Sequence, residues 1–253
     1  MEQTTDVSTL FCVVHRVHTR LQEGTDMGTL TNVTFPGEEA ASPRVGVTTD
    51  SIPEARSQRT GESVEYVPSP DKQWYVLRTS YGREDLAADH FIHCGDFVYI
   101  ARRRTIRRDA EGKKHKVLEV LTPNLVFAYL TEAKAEEYVH GTPSLPFVSY
   151  YYNHFETGLD FKNPPLTVPS RQMVNFIRAT CSQSEHLRHV SLSDCHFRNG
   201  SFVRVTCGEY KGVEGRVARI GGQQRVVVSL PNGVIHIATA YIPSAFLEVV
   251  SNQ

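Results

Sequence analysis

No stretch of this chain approaches the roughly 20 consecutive apolar residues that a membrane-spanning helix needs. GxSxG, Walker A and glycine-rich dinucleotide motifs are absent too, so the common motif-borne hydrolase and nucleotide chemistries have no foothold. Cysteine is sparse and odd in number, with five residues at 12, 94, 181, 195 and 207 and no CxxC pair. That is not a disulfide framework, and it points to a reduced, cytoplasmic setting. The opening residues MEQTTDVSTLFCVVHRVH lack the basic n-region and apolar run of a secretory signal. A strong bias of charge is missing as well, because the formal net charge is −1 over 253 residues.

That near-neutrality hides an uneven distribution. Residues 1–72 hold 11 Asp/Glu against 6 Lys/Arg, whereas residues 73–184 hold 12 against 14 and residues 185–253 hold 5 against 7. An acidic head therefore masks a mildly basic body with more attraction for a polyanion than the whole-chain charge implies. The head is rich in Thr, Ser, Glu, Pro and Gly without a sustained apolar period, and reads as a disordered extension over residues 1–72. On this reading the acidic extension shields the basic segments from nucleic acid.

From Trp74 the pattern changes. WYVLRT (74–79) has strand composition, REDLAADHFIHC (83–94) has helical spacing with acids in its first turn, and FVYIA (97–101) reads as a strand. RRRTIRRDAEGKKHK (102–116) forms a hairpin turning at Glu111-Gly112, followed by VLEVL (117–121), a Pro-Asn break at 123–124 and the buried strand LVFAYL (125–130). TEAKAEEYVHG (131–141) is a short helix with Thr131 as N-cap, PFVSYYYN (146–153) is a strand, and a helix with Ser170 as N-cap presents Met173, Phe176 and Ile177 on one face. Strands and short helices joined by hairpin-like links give an α+β domain over 73–182. Residues 183–196 are polar and read as a linker, and residues 197–253 carry short strands whose count suits a small closed barrel.

Chemistry-bearing side chains are few. His90 and Cys94 stand at the i, i+4 spacing that can bind zinc, with His93 beside them. A fourth ligand is missing, and the adjacent Cys195-His196 is poorly placed to supply a second pair, so these read as ordinary helix and linker residues with no metal and no cofactor. Of Tyr150, Tyr151 and Tyr152, alternation along a strand sends at least one to the core and another to the surface.

FRNGSFVRVTCGEYKGVEGRVARI (197–220) resembles a KOW motif. WYVLRTSYGREDLAADHF (74–91), EVLTPNLVFAYL (119–130) and PLTVPSRQMVNFI (165–177) resemble the first strand and helix, the docking strand and the approach to the last helix of the NusG N-terminal (NGN) domain. The order resembles NusG-like transcription elongation and antitermination factors. With RVVVSLPNGVIHIATAYIP (225–243), it is closest to the UpxY-type specialised paralogues that promote read-through of capsular polysaccharide operons.

The resemblance implies an NGN-type α/β sandwich followed by an SH3-like KOW barrel, with no enzymatic activity. It implies docking to the RNA polymerase clamp region through Leu121, Thr122, Pro123, Leu125, Phe127 and Tyr129, with Thr122 standing where the family usually has Phe. Phe127 is the residue of this set most expected to be core. Upstream or non-template DNA, or nascent RNA, is the implied partner of Arg102, Arg103, Arg104, Arg107, Arg108, Lys113, Lys114 and Lys116. Arg83 alone keeps charge where the related factor RfaH faces the non-template strand. The loop Gly208, Glu209, Tyr210, Lys211, Gly212 and Gly215 implies a ribosomal or other factor as partner of the barrel, the glycines being structural. No membrane partner is expected. A general NusG, or a KOW-type RNA-binding or ribosome-associated protein, remains the alternative.

Overall fold

The computed structural model describes residues 52–57, 59–156 and 163–250, without the side chains at 198–201 and 232. The strands are β1 (Ala55–Arg56), β2 (Ser63–Val64), β3 (Gln73–Thr79), β4 (Phe97–Tyr99), β5 (Arg102–Arg108), β6 (Lys114–Val120), β7 (Leu125–Leu130), β8 (Val148–Tyr150) and β9 (Thr167–Val168), then β10 (Arg188–His189), β11 (His196–Val205), β12 (Glu214–Ile220), β13 (Gln223–Ser229), β14 (His236–Tyr241) and β15 (Leu247–Val249). The helices are α1 (Glu84–His93), α2 (Glu132–Glu136) and α3 (Ser170–Thr180). Helix and strand mix as the α+β reading requires.

The first sheet has five strands in the order β4-β7-β3-β8, with β9 pairing β3, and every pairing is antiparallel. β7 is buried from Val126 to Leu130 without interruption, as a strand covered on both faces must be. One face carries Phe127 and Tyr129 opposite Val76 and Trp74. On it Phe176 of α3 meets Phe127 at 5.2 Å between ring centroids. The spacing of Met173, Phe176, Ile177 and Thr180 lays one stripe of α3 into this core. Its first turn departs from expectation, since Pro169 is the cap and Ser170 the first helical residue, with no side-chain capping bond. Thr131 caps α2 as expected, accepting the Lys134 N–H at 3.3 Å. α2 then loosens into a π turn over Glu137–Gly141.

Part of the segment expected to be disordered is ordered. Residues 1–51, including most of the acidic head, lie outside the described residues, but β1 and β2 form a two-stranded ladder. Tyr66 is buried among Trp74, Phe97 and Tyr129 at 4.9–5.5 Å. The Tyr129 hydroxyl donates to Ser69 O and accepts from Ser69 N, both at 2.9 Å, which fixes the approach to β3.

The second sheet has six strands in the order β10-β14-β13-β12-β11-β15. Its first strand comes from the stretch read as a linker, which also buries Leu187, Val190 and Cys195. Three apolar side chains spaced through polar sequence give no strand period, so the role is invisible until β14 supplies the partner. A β-carbon on Gly215 would lie 2.4 Å from Val227 O, so glycine there permits the close approach of β12 to β13. A register irregularity falls in β11, between Phe197 and Phe202.

α3 is the wall shared by both sheets. Arg171, Asn175 and Arg178 lie on its second stripe at helical spacing. The Asn175 amide donates to Glu214 O at 2.7 Å and accepts from Glu214 N at 2.8 Å, as a neighbouring strand would. Arg178 donates to Gly212 O at 3.3 Å, and Arg171 reaches the Glu214 carboxylate at 3.4 Å. The buried apolar cluster runs continuously from Trp74 and Phe127 through Phe176 to Val213 and Val226.

Replacing Asn175 by Ala strands two partly buried backbone groups of Glu214, and should cost about 1–3 kcal/mol in urea denaturation. Faster amide exchange at 212–214 should accompany it, and unchanged stability would show that the contact is idle. A pH dependence follows from His90 and His236. Burial of each ring depresses its pKa below 6.5, with a lesser push from His93 on His90 and from His189 on His236. Below 6.5 the unfolded chain takes up protons that the folded chain refuses, so stability is present above that value and is lost as the pH falls through it. The denaturation midpoint should drop between about pH 7.5 and 5.5, and H90Q/H236Q should flatten that drop.

Candidate functional site

The densest positive charge lies on the β5–β6 hairpin, paired in register from Arg102↔Val120 to Arg108↔Lys114. Asp109 closes its turn by accepting the Lys113 N–H at 2.8 Å. At the base Arg102 pairs with Asp85 of α1, the Arg104 N–H donates to Gln183 O at 2.8 Å, and Arg103 donates to Leu187 O at 3.3 Å. The residues immediately after α3 therefore hold the hairpin in place. Glu119 accepts from both Arg103 and Arg107, at 3.2 and 2.9 Å. Hydrogen bonds from Arg107 and then Arg103 hold its carboxyl below the ordinary glutamate range.

The segment after β6 makes a tight turn. Asn124 adopts φ +64°, a conformation asparagine tolerates better than most residues. Its N–H donates to the buried Glu84 carboxylate at 2.7 Å and its carbonyl accepts from Thr79 N at 2.9 Å. The six residues expected to dock a partner divide sharply. Leu121, Thr122, Phe127 and Tyr129 are at most 4% exposed and are spent on the core and the turn. Burial on both faces of β7 accounts for Phe127 and Tyr129, whose side chains have no free surface to offer. Pro123 is exposed and Leu125 half-buried.

The loop after β3 follows Thr79, whose N–H meets Asn124, and it carries an aromatic side chain that was not among the expected contact residues. Tyr81 is 89% exposed. The Arg83 guanidinium lies 5.7 Å from the Tyr81 ring centroid and 5.1 Å from that of Phe147. The Phe147 carbonyl in turn accepts from Ser80 N at 3.0 Å. The loop after β3 and the segment entering β8 thus meet in one aromatic and cationic cluster. Phe147 is 64 positions from Arg83 in the chain, so only the sheet pairing of β3 with β8 reveals the contact.

In the 208–215 loop, Gly208 and Gly212 take φ +83° and +84°, as the loop reading requires. Tyr210, expected to be exposed, is 4% exposed, and its burial raises the phenol pKa. Glu209 and Lys211 face solvent.

The helix residues weighed as metal ligands do not converge. His90 is half-buried against Tyr138, His93 is exposed beside Glu62, and Cys94 is exposed. Among the described residues no group of three or more His, Cys, Asp or Glu is placed to hold a metal ion. A polar cluster unmarked in the sequence does form nearby. Buried Asp96 accepts the Tyr138 hydroxyl at 2.6 Å and lies 3.5 and 3.4 Å from Lys72 and Lys134. It is a structural pin, and burial together with Asp96 keeps the phenol protonated. Of the three tyrosines, Tyr150 is buried, Tyr151 half-buried and Tyr152 exposed; β8 ends at Tyr150, so exposure rises as the chain leaves the strand and does not follow strand alternation. No helix among the described residues is long and apolar enough to cross a membrane.

Among curated proteins, no sequence matches the chain. Residues 72–177 match the family model described as transcription termination factor nusG, so the segment holding the first sheet, the basic hairpin, the Pro123 turn and most of α3 supports a NusG-like factor.

Proposed function

We propose that the chain is a transcription elongation and antitermination factor that binds the RNA polymerase clamp region and promotes processive transcription of a particular long operon, such as one for capsular polysaccharide. The family match over residues 72–177 carries this reading. In it, residues 73–182 form the polymerase-binding NGN-like domain and residues 197–253 a KOW-type SH3-like barrel. The factor works in the cytoplasm by binding alone, without catalysis or cofactor. Binding the elongating polymerase more tightly than the paused one shifts that equilibrium, and each tenfold difference in affinity is worth about 1.4 kcal/mol.

The geometry redistributes the docking roles. Pro123 and Leu125 supply contact surface, and the exposed Tyr81 adds an aromatic one on the loop after β3. Leu121 and Thr122 are buried at the start of the turn that presents Pro123, and Phe127 and Tyr129 belong to the core of the strand that follows. Arg83 and the hairpin cations face nucleic acid, while Glu209 and Lys211 are the loop residues open to a ribosomal or other factor.

Full-length protein should co-purify with core polymerase. Changing Pro123 and Leu125 together to Asp should weaken that capture about tenfold or more, since a charge in a desolvated anchor position is costly. A folded wild-type chain that captures no polymerase defeats the proposal. Deleting the gene should lower promoter-distal transcripts of one long operon, and a genome-wide loss of elongation would assign it instead the role of a general NusG.

A further inference from the structure

The ladder on β5 and β6 sorts the hairpin's charge by face. Residues opposite each other across an antiparallel pair share a face, and successive residues alternate. One face therefore carries Arg102, Arg104, Arg108, Lys114 and Lys116, with Ile106 between them and Leu118 and Val120 towards the base, where Asp85 takes Arg102. The other carries Arg103, Arg107, His115 and Glu119. On this second face the charge is answered internally. Glu119 takes both arginines, and His115 meets Asp109 at 2.6 Å. On the first face Arg104, Arg108, Lys114 and Lys116 are all exposed, and among the described residues none of them is in an ion pair.

The arrangement favours one kind of polyanion. Alternate strand residues are about 6.6 Å apart, so Arg104 to Arg108 span about 13 Å along the ribbon. A DNA duplex presents one phosphate charge per about 1.7 Å of axis, which puts about eight charges within that length. No aromatic side chain stands on this face to stack a splayed base, as binders of single strands use. Ile106 is its one large exposed apolar residue, too little to enter a lipid interface. At its base a cleft of about 320 Å³ is lined by Arg104 and Lys116 together with Glu185 and Glu209, so it is mixed in charge and a poor pocket for a small free anion.

We propose that the Arg104–Arg108–Lys114–Lys116 face of the ribbon is a sequence-independent docking surface for the phosphate backbone of duplex DNA. The choice of DNA rests on the transcription reading, whereas the choice of face rests on the register alone. Full-length protein is titrated against a labelled mixed-sequence duplex between about 50 and 200 mM salt at about pH 8. Replacing all four cations by Gln should weaken binding at least tenfold at low salt, and should flatten the slope of log K against log salt by about 3 to 4. Two single variants test the face itself. Ile106→Lys adds a charge to the proposed face and should tighten binding and steepen the slope by about 0.9. His115→Lys adds a charge to the opposite face and should leave both within about twofold.

Equal effects of the two single variants would reduce the surface to net charge and overturn the proposal. So would unchanged binding by the fourfold variant, or tighter binding of single-stranded DNA, duplex RNA or anionic phosphatidylserine vesicles than of duplex DNA. Should the fourfold variant fail to fold, the two single variants decide. Polymerase capture is measured in parallel. Capture without ribbon-dependent DNA binding removes this inference alone, and DNA binding without capture removes the transcription reading and leaves the surface standing.

Discussion

α3 is the constraint on which the rest of the structure depends, because two sheets and a hairpin all take their positions from it. Its apolar stripe closes the first sheet through Phe176 on Phe127, while its polar stripe meets the second sheet through Asn175 and Glu214. A side-chain amide that both donates and accepts copies the pairing of a strand edge, so it specifies distance and orientation together. Apolar contact alone tolerates sliding. The hairpin is tied to the same reference, since Arg104 N bonds the carbonyl of Gln183, just beyond the end of α3.

Electrostatics acts on this frame as a sorting rule more than as a source of stability. Exposed ion pairs contribute about 0–1 kcal/mol each, so Glu119 does little to hold the hairpin together. Its effect is to tie down Arg103 and Arg107 on one face and offset one of their two charges. The formal charge of the hairpin is then a poor guide to its field, because three of its five arginines, Arg102, Arg103 and Arg107, are in ion pairs at short range.

Much of the fold was legible in the sequence, and the misses have a common cause. The strands 74–79 and 125–130, the Thr131 cap and the glycine-shaped 208–212 loop each depend on residues close in sequence, and each stands where the pattern puts it. Tyr66, Leu187 and Tyr210 are single apolar side chains in polar surroundings, and their burial is decided by distant partners. LVFAYL illustrates the same limit at the candidate site. A strand buried on both faces reads as a continuous apolar run, and so does an exposed docking strip. Phe127 and Tyr129 therefore both stand in the docking set, Phe127 already as its most core-like member, and the core claims both. Asn175 gave no signal at all, because an asparagine on a helix is ordinary until its amide meets a backbone.

The two candidate surfaces are joined by the covalent chain. β6 runs directly into the Leu121–Asn124 turn, and the turn into β7. β7 is the most deeply buried strand of the first sheet, and Glu84 and Thr79 clamp the turn against it. A partner gripping Pro123 and Leu125 would therefore hold the root of the hairpin. Because the hairpin is also tied at Arg102 and Arg104, its free cations would be aimed by that grip instead of sweeping through solvent. On the proposed reading, docking at the turn and charge on the ribbon would be one device, with the first sheet supplying the rigidity, the turn the attachment, and the ladder register the side of the ribbon offered to the polyanion.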